Sequence, residues 1–298
     1  MHKHDWTGVL PAITTPFAAD GAIDETFLAD HVRWLLGHGC RGIVALGSLG
    51  EGATLRFDEK IRVLSICAEA AGPSAPVIAG VSGLATEECV RLARAAERAG
   101  CSGLMVLPPY VYRPDARETH AHFDAVISAT PLSCMLYNNP IAYGTDLLAS
   151  DVEALADRHA NVHAVKESSG DVRRVSALRA VIGDRLSLLA GLDDMILEAV
   201  GVGARGWVAG LVNALPLESV RLFDLACSGR AAEAFALYSW FLPLLRFDTV
   251  MKFVQLIKLV QHEVGRGSET VRLPRLPLSG VERDAALAVI RSALAQPR

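Results

Sequence analysis

The feature that most constrains this chain is an alternation repeated eight times: a short apolar, β-branched run, then a longer stretch with helical periodicity. The short runs are Val9–Thr14, Gly42–Leu46, Val77–Ala79, Gly103–Leu107, Ser133–Tyr137, Val162–Lys166, Ser187–Ala190 and Trp207–Ala209. Apolar runs of this length suit buried strands. The helical stretches include Phe27–Leu36, Glu59–Ala71, Glu87–Ala99 and Val172–Val181. Gly39, Gly100, Gly183 and Gly203 sit where such helices would end, each suited to a left-handed C-cap. Eight strand–helix units fit a closed parallel barrel better than an open doubly wound sheet. The expected fold is a (β/α)8 TIM barrel over residues 1–220. Beyond it the pattern is helical, with apolar stripes over Ala231–Leu242 and Met251–Val264 and a last helix over Arg283–Ala295. Residues 221–298 are therefore expected to form a C-terminal helical extension packed on the barrel, the two making one functional unit.

Composition removes several function classes. A net charge of −4 and a pI near 6.1 argue against a nucleic-acid partner. The cluster of Arg173, Arg174 and Arg179 reads as a solvated helix face. The six cysteines, at 40, 67, 89, 101, 134 and 227, have no C-x-x-C spacing and lie in apolar runs. They read as reduced, buried thiols of a cytoplasmic protein. Met1–Asp5 lacks the apolar core of a signal peptide. The apolar stretch Ala234–Leu245 falls short of the roughly 20 residues a membrane span needs, so no membrane partner is expected. No HxxxH, HExxH or Cys/His cluster suggests a metal. Gly201–Gly206 has G-x-G-x-x-G spacing, but it follows a helix and precedes a strand, the reverse of the dinucleotide-binding order.

In such a barrel, chemistry sits where the strands end and the βα loops converge. The second run ends in Gly47-Ser48-Leu49-Gly50-Glu51-Gly52. It reads either as an ordinary tight turn or as exposed N–H groups suited to a carboxylate. The fifth ends in Tyr137-Asn138-Asn139-Pro140, and its phenol is either a proton carrier or a bridge between core and rim. In the sixth, period-two alternation puts Val162, Ala164 and Lys166 on one face. An ammonium on the barrel side is poorly solvated, so its pKa falls and it becomes a nucleophile toward carbonyls, forming imines. The alternative is an outward lysine snorkelling between helices. Asp193-Asp194, after the seventh run, reads as a helix N-cap or as a contact to a substrate hydroxyl.

Gly47-Ser48-Leu49-Gly50-Glu51, Tyr137-Asn138-x-Pro140 and Val165-Lys166-Glu167-Ser168-Ser169-Gly170, with the earlier Thr14-Thr15-Pro16-Phe17, resemble the signatures of the dihydrodipicolinate synthase and N-acetylneuraminate lyase family. The resemblance implies a (β/α)8 barrel with helical extension, assembled as a homotetramer (a dimer of dimers), and no cofactor. It implies that Lys166 forms an imine with a 2-oxo acid such as pyruvate and that Tyr137 shuttles protons. Ser48 and Leu49 would present N–H groups to the substrate carboxylate, and Val208 a backbone carbonyl near the lysine. Gly191 and Asp193 are further candidate substrate contacts.

Three positions depart from the family's synthases. Leu49 stands where threonine is usual. Ala142 stands where an arginine holds the second substrate's carboxylate, a contact worth about 1.5–3 kcal/mol. Val111 stands where a tyrosine crosses the subunit interface to complete the relay, a task that would fall to Tyr110 or Tyr112. Stretches such as Ser169–Arg174, Ala190–Asp194 and Trp240–Leu245 are more similar to the subgroup that deaminates 1-pyrroline-4-hydroxy-2-carboxylate in hydroxyproline breakdown. The expected function is therefore a Schiff-base lyase acting on a small 2-oxo acid or its cyclic imine. The alternatives are a pyruvate-dependent aldolase or condensing synthase, and a non-catalytic barrel that binds a 2-oxo acid.

Overall fold

A computed structural model of the protein describes residues 1–296. The last two residues of the expected 221–298 extension lie outside the described residues. Eight parallel strands form the barrel: β1 (Gly8–Pro11), β2 (Ile43–Ala45), β3 (Val77–Val81), β4 (Gly103–Val106), β5 (Ser133–Asn138), β6 (Val162–Glu167), β7 (Ser187–Ala190) and β8 (Gly206–Ala209). From β2 to β8 each strand pairs with its sequence neighbours and β8 pairs with β1, whereas β1 meets β2 only through the isolated bridge between Ala12 and Val44.

The sequence pattern places all eight strands, with every end within three residues of the expected one. The run Val9–Thr14 stops pairing regularly at Pro11, which has no N–H to donate. The Ala12 N–H then bonds to Ala209 and the Ile13 N–H to Val44, at 2.8 and 2.9 Å, and these bonds close the barrel between β8, β1 and β2. β2 ends at Ala45 because Leu46 turns left-handed, with φ of 64°.

The eighth barrel helix runs over Pro216–Cys227, so the boundary expected between residues 220 and 221 falls inside it. The extension then forms Ala231–Leu245, Phe253–Glu263 and Gly280–Leu294. Five cysteines are buried. Cys227, at the end of the eighth helix, is exposed, against expectation. Its position on a helix face, and not the apolar run around it, sets its exposure. Among the described residues no helix is long and apolar enough to cross a membrane, and no group of three or more His, Cys, Asp or Glu side chains could hold a metal ion.

One buried ion pair ties the extension to the loop after β2. Lys258, on Phe253–Glu263, places its Nζ 2.6 Å from Glu51 Oε1. It also donates to the carbonyls of Thr15 (2.9 Å) and Thr270 (2.8 Å). The Arg272 backbone N–H donates to the other Glu51 oxygen at 3.0 Å. Glu51 is itself left-handed, with φ of 52°. Such residues cost about 1–3 kcal/mol and persist only where neighbours over-determine them. Lys258→Met leaves the buried carboxylate with only Arg275, 3.9 Å away, for a nearby cation, so it is expected to lower the unfolding free energy by about 3–5 kcal/mol in urea titrations. A loss below ~1 kcal/mol would mean that the remaining partners hold Glu51 unaided.

Candidate active site

Period-two geometry sorts the ends of β5 and β6 into two layers. Tyr137 and Lys166 are register partners, and both are buried. Lys166 Nζ lies 4.2 Å from the centre of the Tyr137 ring. The lysine therefore occupies the inward face, and the snorkelling alternative is excluded. The next residues, Asn138 and Glu167, form the other layer and lock the strand ends. Asn138 Nδ2 donates to Glu167 Oε2 (3.0 Å) and to Asp146 (3.1 Å), and the Ser169 N–H donates to Glu167 Oε1 (2.6 Å). This outer lattice holds the inner pair in place.

The environment of Lys166 favours the neutral amine. Burial lowers its pKa below the usual lysine range, while Asp248, Tyr143 and Asp193 pull it back up. Gly191 makes room for its stem. A β-carbon there would lie 2.7 Å from Lys166 Cε and 1.9 Å from Ser168 Oγ. Ser168 Oγ is buried and close enough to favour the Tyr137 phenolate slightly, yet it has no hydrogen-bond partner of full geometry. Burial raises the Tyr137 phenol above its usual range, and an amide N–H from Asn139, 3.1 Å from the phenol oxygen, opposes that.

The link between this pair and the loop after β2 is a residue that the sequence reading did not single out. Tyr143, on the short helix Pro140–Tyr143, shares a hydrogen bond with Ser48 Oγ. Its ring meets that of Tyr137 edge-on, with centroids 5.7 Å apart. Within one chain the phenol that reaches Ser48 is therefore Tyr143. The ring of Tyr110 packs 5.9 Å from that of Tyr143, and Val111 and Tyr112 are exposed at the rim. The sequence signal was available, since Tyr143 lies six residues past Tyr137 at the same strand end, but nothing in spacing alone aims its ring inward. Leu49 is buried beside the same loop, and among the described residues neither the Ser48 nor the Leu49 N–H donates to a protein acceptor.

Asp193 caps no helix. Its buried carboxylate accepts from Trp207 Nε1 (2.9 Å) and from the N–H groups of Gly210 (3.1 Å) and Leu211 (2.7 Å), clamping the end of β8 to the loop after β7. The N-cap expectation fails because these three donors outcompete the short 3-10 turn Asp193–Met195. Burial pushes the Asp193 carboxyl up to about 6 against the pull of those donors and of Lys166. Val208 is buried in β8, with β7 between its strand and Lys166. A second residue missed from sequence, Asp248, reaches this end of the barrel from the turn Arg246–Thr249. An open cavity of about 830 Å³ lies at the other end of the strands, bordered by Cys40, Gly72–Ser74, Val77 and Gly100, remote from these groups.

The sequence profile of the dihydrodipicolinate synthetase family matches residues 5–293. A 4-hydroxy-tetrahydrodipicolinate synthase of Acidithiobacillus ferrooxidans is 34% identical over 287 residues, covering 96% of this chain and 98% of the relative. Among solved structures, the 4-hydroxy-tetrahydrodipicolinate synthase of Methylacidiphilum fumariolicum SolV superposes with a TM-score of 0.91 at 30% identity, covering 97% of each chain. The dihydrodipicolinate synthase of Acinetobacter baumannii, solved with pyruvate, gives 0.92 at 28% identity, covering 97% of this chain and 99% of that one.

A lysine whose folded pKa is lowered destabilises the fold at neutral pH. The unfolded chain keeps a proton that the folded state gives up, so stability falls as pH drops below the unfolded lysine value toward the folded one. Lys166→Met is therefore expected to match or exceed the parent in thermal midpoint at pH 7, and to lose the rise in stability that the parent shows as pH climbs toward the ordinary lysine value. A midpoint several degrees below the parent's would show that the ammonium stabilises the barrel.

Proposed function

Since the chain belongs to the dihydrodipicolinate synthetase family, we propose that it is a lysine Schiff-base lyase acting on a small 2-oxo acid or its cyclic imine. The reaction we propose is dehydration and deamination of 1-pyrroline-4-hydroxy-2-carboxylate. The observation that carries the Schiff-base reading is the buried Lys166, its pKa lowered by burial, against Tyr137, with Tyr143 leading from there to Ser48.

Neutral Lys166 attacks C2 of the substrate, whose carboxylate is held by the N–H groups of Ser48 and Leu49. The phenol chain Tyr137–Tyr143–Ser48 carries protons to and from the developing carbinolamine. The iminium at C2 then acts as an electron sink while a bond at C3 or C4 breaks. Water finally hydrolyses the imine and frees Lys166. Loss of the hydroxyl and of ammonia leaves the semialdehyde of 2-oxoglutarate. Gly191 serves by leaving space for the lysine, and Asp193 by holding the β8 end and favouring the ammonium. The deaminase reading draws its support from charge. The groups acting most strongly on Lys166 are acids and a phenol, Ala142 offers no cation, and a substrate with a neutral distal end suits such a site.

A second reading, a pyruvate-dependent aldolase or condensing synthase, is favoured by the names of the relatives and by Arg113. Its guanidinium borders Gly144 beside Tyr143 and offers a cation for a distal carboxylate. Incubation with pyruvate and borohydride followed by peptide mass spectrometry is expected to find a reduced adduct on Lys166. Its rate should rise with pH and level off below the ordinary lysine value. No adduct with any 2-oxo acid would end the Schiff-base reading. Product assays then separate the reactions: ammonia release from the hydroxypyrroline supports the deaminase, whereas pyruvate release or condensation supports the alternative.

A further inference from the structure

Two glycines at neighbouring strand ends have ordinary backbone conformations, so space and not φ explains them. One is Gly191, which admits the Lys166 stem. The other is Gly210, just past β8, with φ −95° and ψ −55°, which any residue adopts. A β-carbon at Gly210 would lie 2.2 Å from Asp248 Oδ1 and 2.9 Å from its Cγ, and 3.3 Å from Leu49 Cδ2. The Asp248 carboxyl thus occupies the place of a side chain that β8 itself does not supply. It arrives from the helical extension and lodges beside Asp193, Leu49 and Lys166.

We propose that Asp248 is a catalytic acid–base of this site, taking a proton from C3 of the lysine-bound substrate and delivering it to the group that departs from C4. The assignment rests on the Schiff-base reading above. In the step itself the C3–H pair becomes the C2=C3 bond of an enamine, and the iminium nitrogen takes up the displaced pair. The nitrogen pair then returns, C3=C4 forms and the C4–O bond breaks with its electrons on oxygen. Asp248 protonates that oxygen, so one water leaves and the carboxylate is regenerated. Proton shifts from C5 to C3 and from the C5 nitrogen to C4 then turn C3=C4 into a C5=N bond, and hydrolysis of the two carbon–nitrogen double bonds consumes two waters and releases ammonia. Tyr137 and Tyr143 remain with the proton transfers at C2.

The surroundings suit such a carrier. Burial and the neighbouring Asp193 hold the Asp248 carboxyl well above the usual carboxylate range, while Lys166 and the Asp193 N–H favour its anion. The other groups facing it are Asp194 from the loop after β7 and Tyr137 from β5, while Arg246 on its own turn acts on Asp194. A carboxyl held above the usual range is a stronger base as its anion and can return that proton within a turnover.

The test uses pyruvate as probe, since its C3 protons exchange with deuterium oxide only through the enamine. Borohydride trapping of the pyruvate adduct reads imine formation, and loss of methyl protons by NMR reads proton transfer at C3. Asp248→Asn keeps the shape and an acceptor for the Asp193 N–H, so a purely structural brace would tolerate it. The variant is expected to form the adduct normally and to exchange about a hundredfold or more slowly. It should also lose the acid-side fall in rate that the parent shows as Asp248 gains its proton. Gly210→Ala, which keeps the carboxyl but fills its place, should show the same split. Exchange within about threefold of the parent in Asp248→Asn, or an unchanged pH profile, overturns the assignment. So does a parent that forms the adduct without exchanging. If Asp248→Asn does not fold, Asp248→Ala supplied with formate decides: restored exchange supports the role, and none overturns it. A parent without adduct is the separate failure of the Schiff-base reading, and it removes this assignment as well.

Discussion

An ammonium carried into the dry interior of a barrel is unfavourable unless its surroundings let it shed its proton or supply a counter-charge. The mouth of this barrel does both for Lys166. Burial between β5 and β7 drives the amine toward neutrality, while Asp193 and Asp248 limit how far it goes. The other features of the site accommodate that one group. Gly191 yields space to its stem, Tyr137 presents a ring face to its tip, and Asn138 and Glu167 brace the two strands from outside.

The helical extension belongs to this arrangement. Lys258 fastens the loop after β2 through Glu51, and with it the Ser48 and Leu49 N–H groups. Asp248 enters the mouth from the adjoining turn. A barrel alone would leave Glu51 buried without a cation and would leave an empty volume beside Gly210. The extension thus contributes geometry to the carboxylate loop and charge to the lysine pocket.

Much of this was legible in one dimension, for a definable reason. Period-two alternation is a local rule, so the inward placement of Tyr137 and Lys166 followed from residues a few positions apart, and each strand ran one residue past the expected end. Tyr143 and Asp248 obey no such rule. Tyr143 reaches Ser48, 95 residues away, only because a four-residue helix folds back over the mouth. Asp248 is one of many acids on helices, and only packing distinguishes it. Asp193 misled in the opposite sense, since an acid opening a turn normally caps it, whereas here Trp207, Gly210 and Leu211 claim its carboxylate.

By itself the sequence determined the eight strand–helix units, the helical tail and the lysine–phenol pair, because each depends on neighbours in the chain or on a spacing that backbone geometry enforces. The match to the dihydrodipicolinate synthetase family over residues 5–293 agrees with that reading. Only the tertiary structure decided which groups converge on Lys166 and what charge they bring. Electrostatics in a poorly solvated site depends on distances of a few ångströms between residues scattered from position 48 to position 248, and no local pattern encodes those distances.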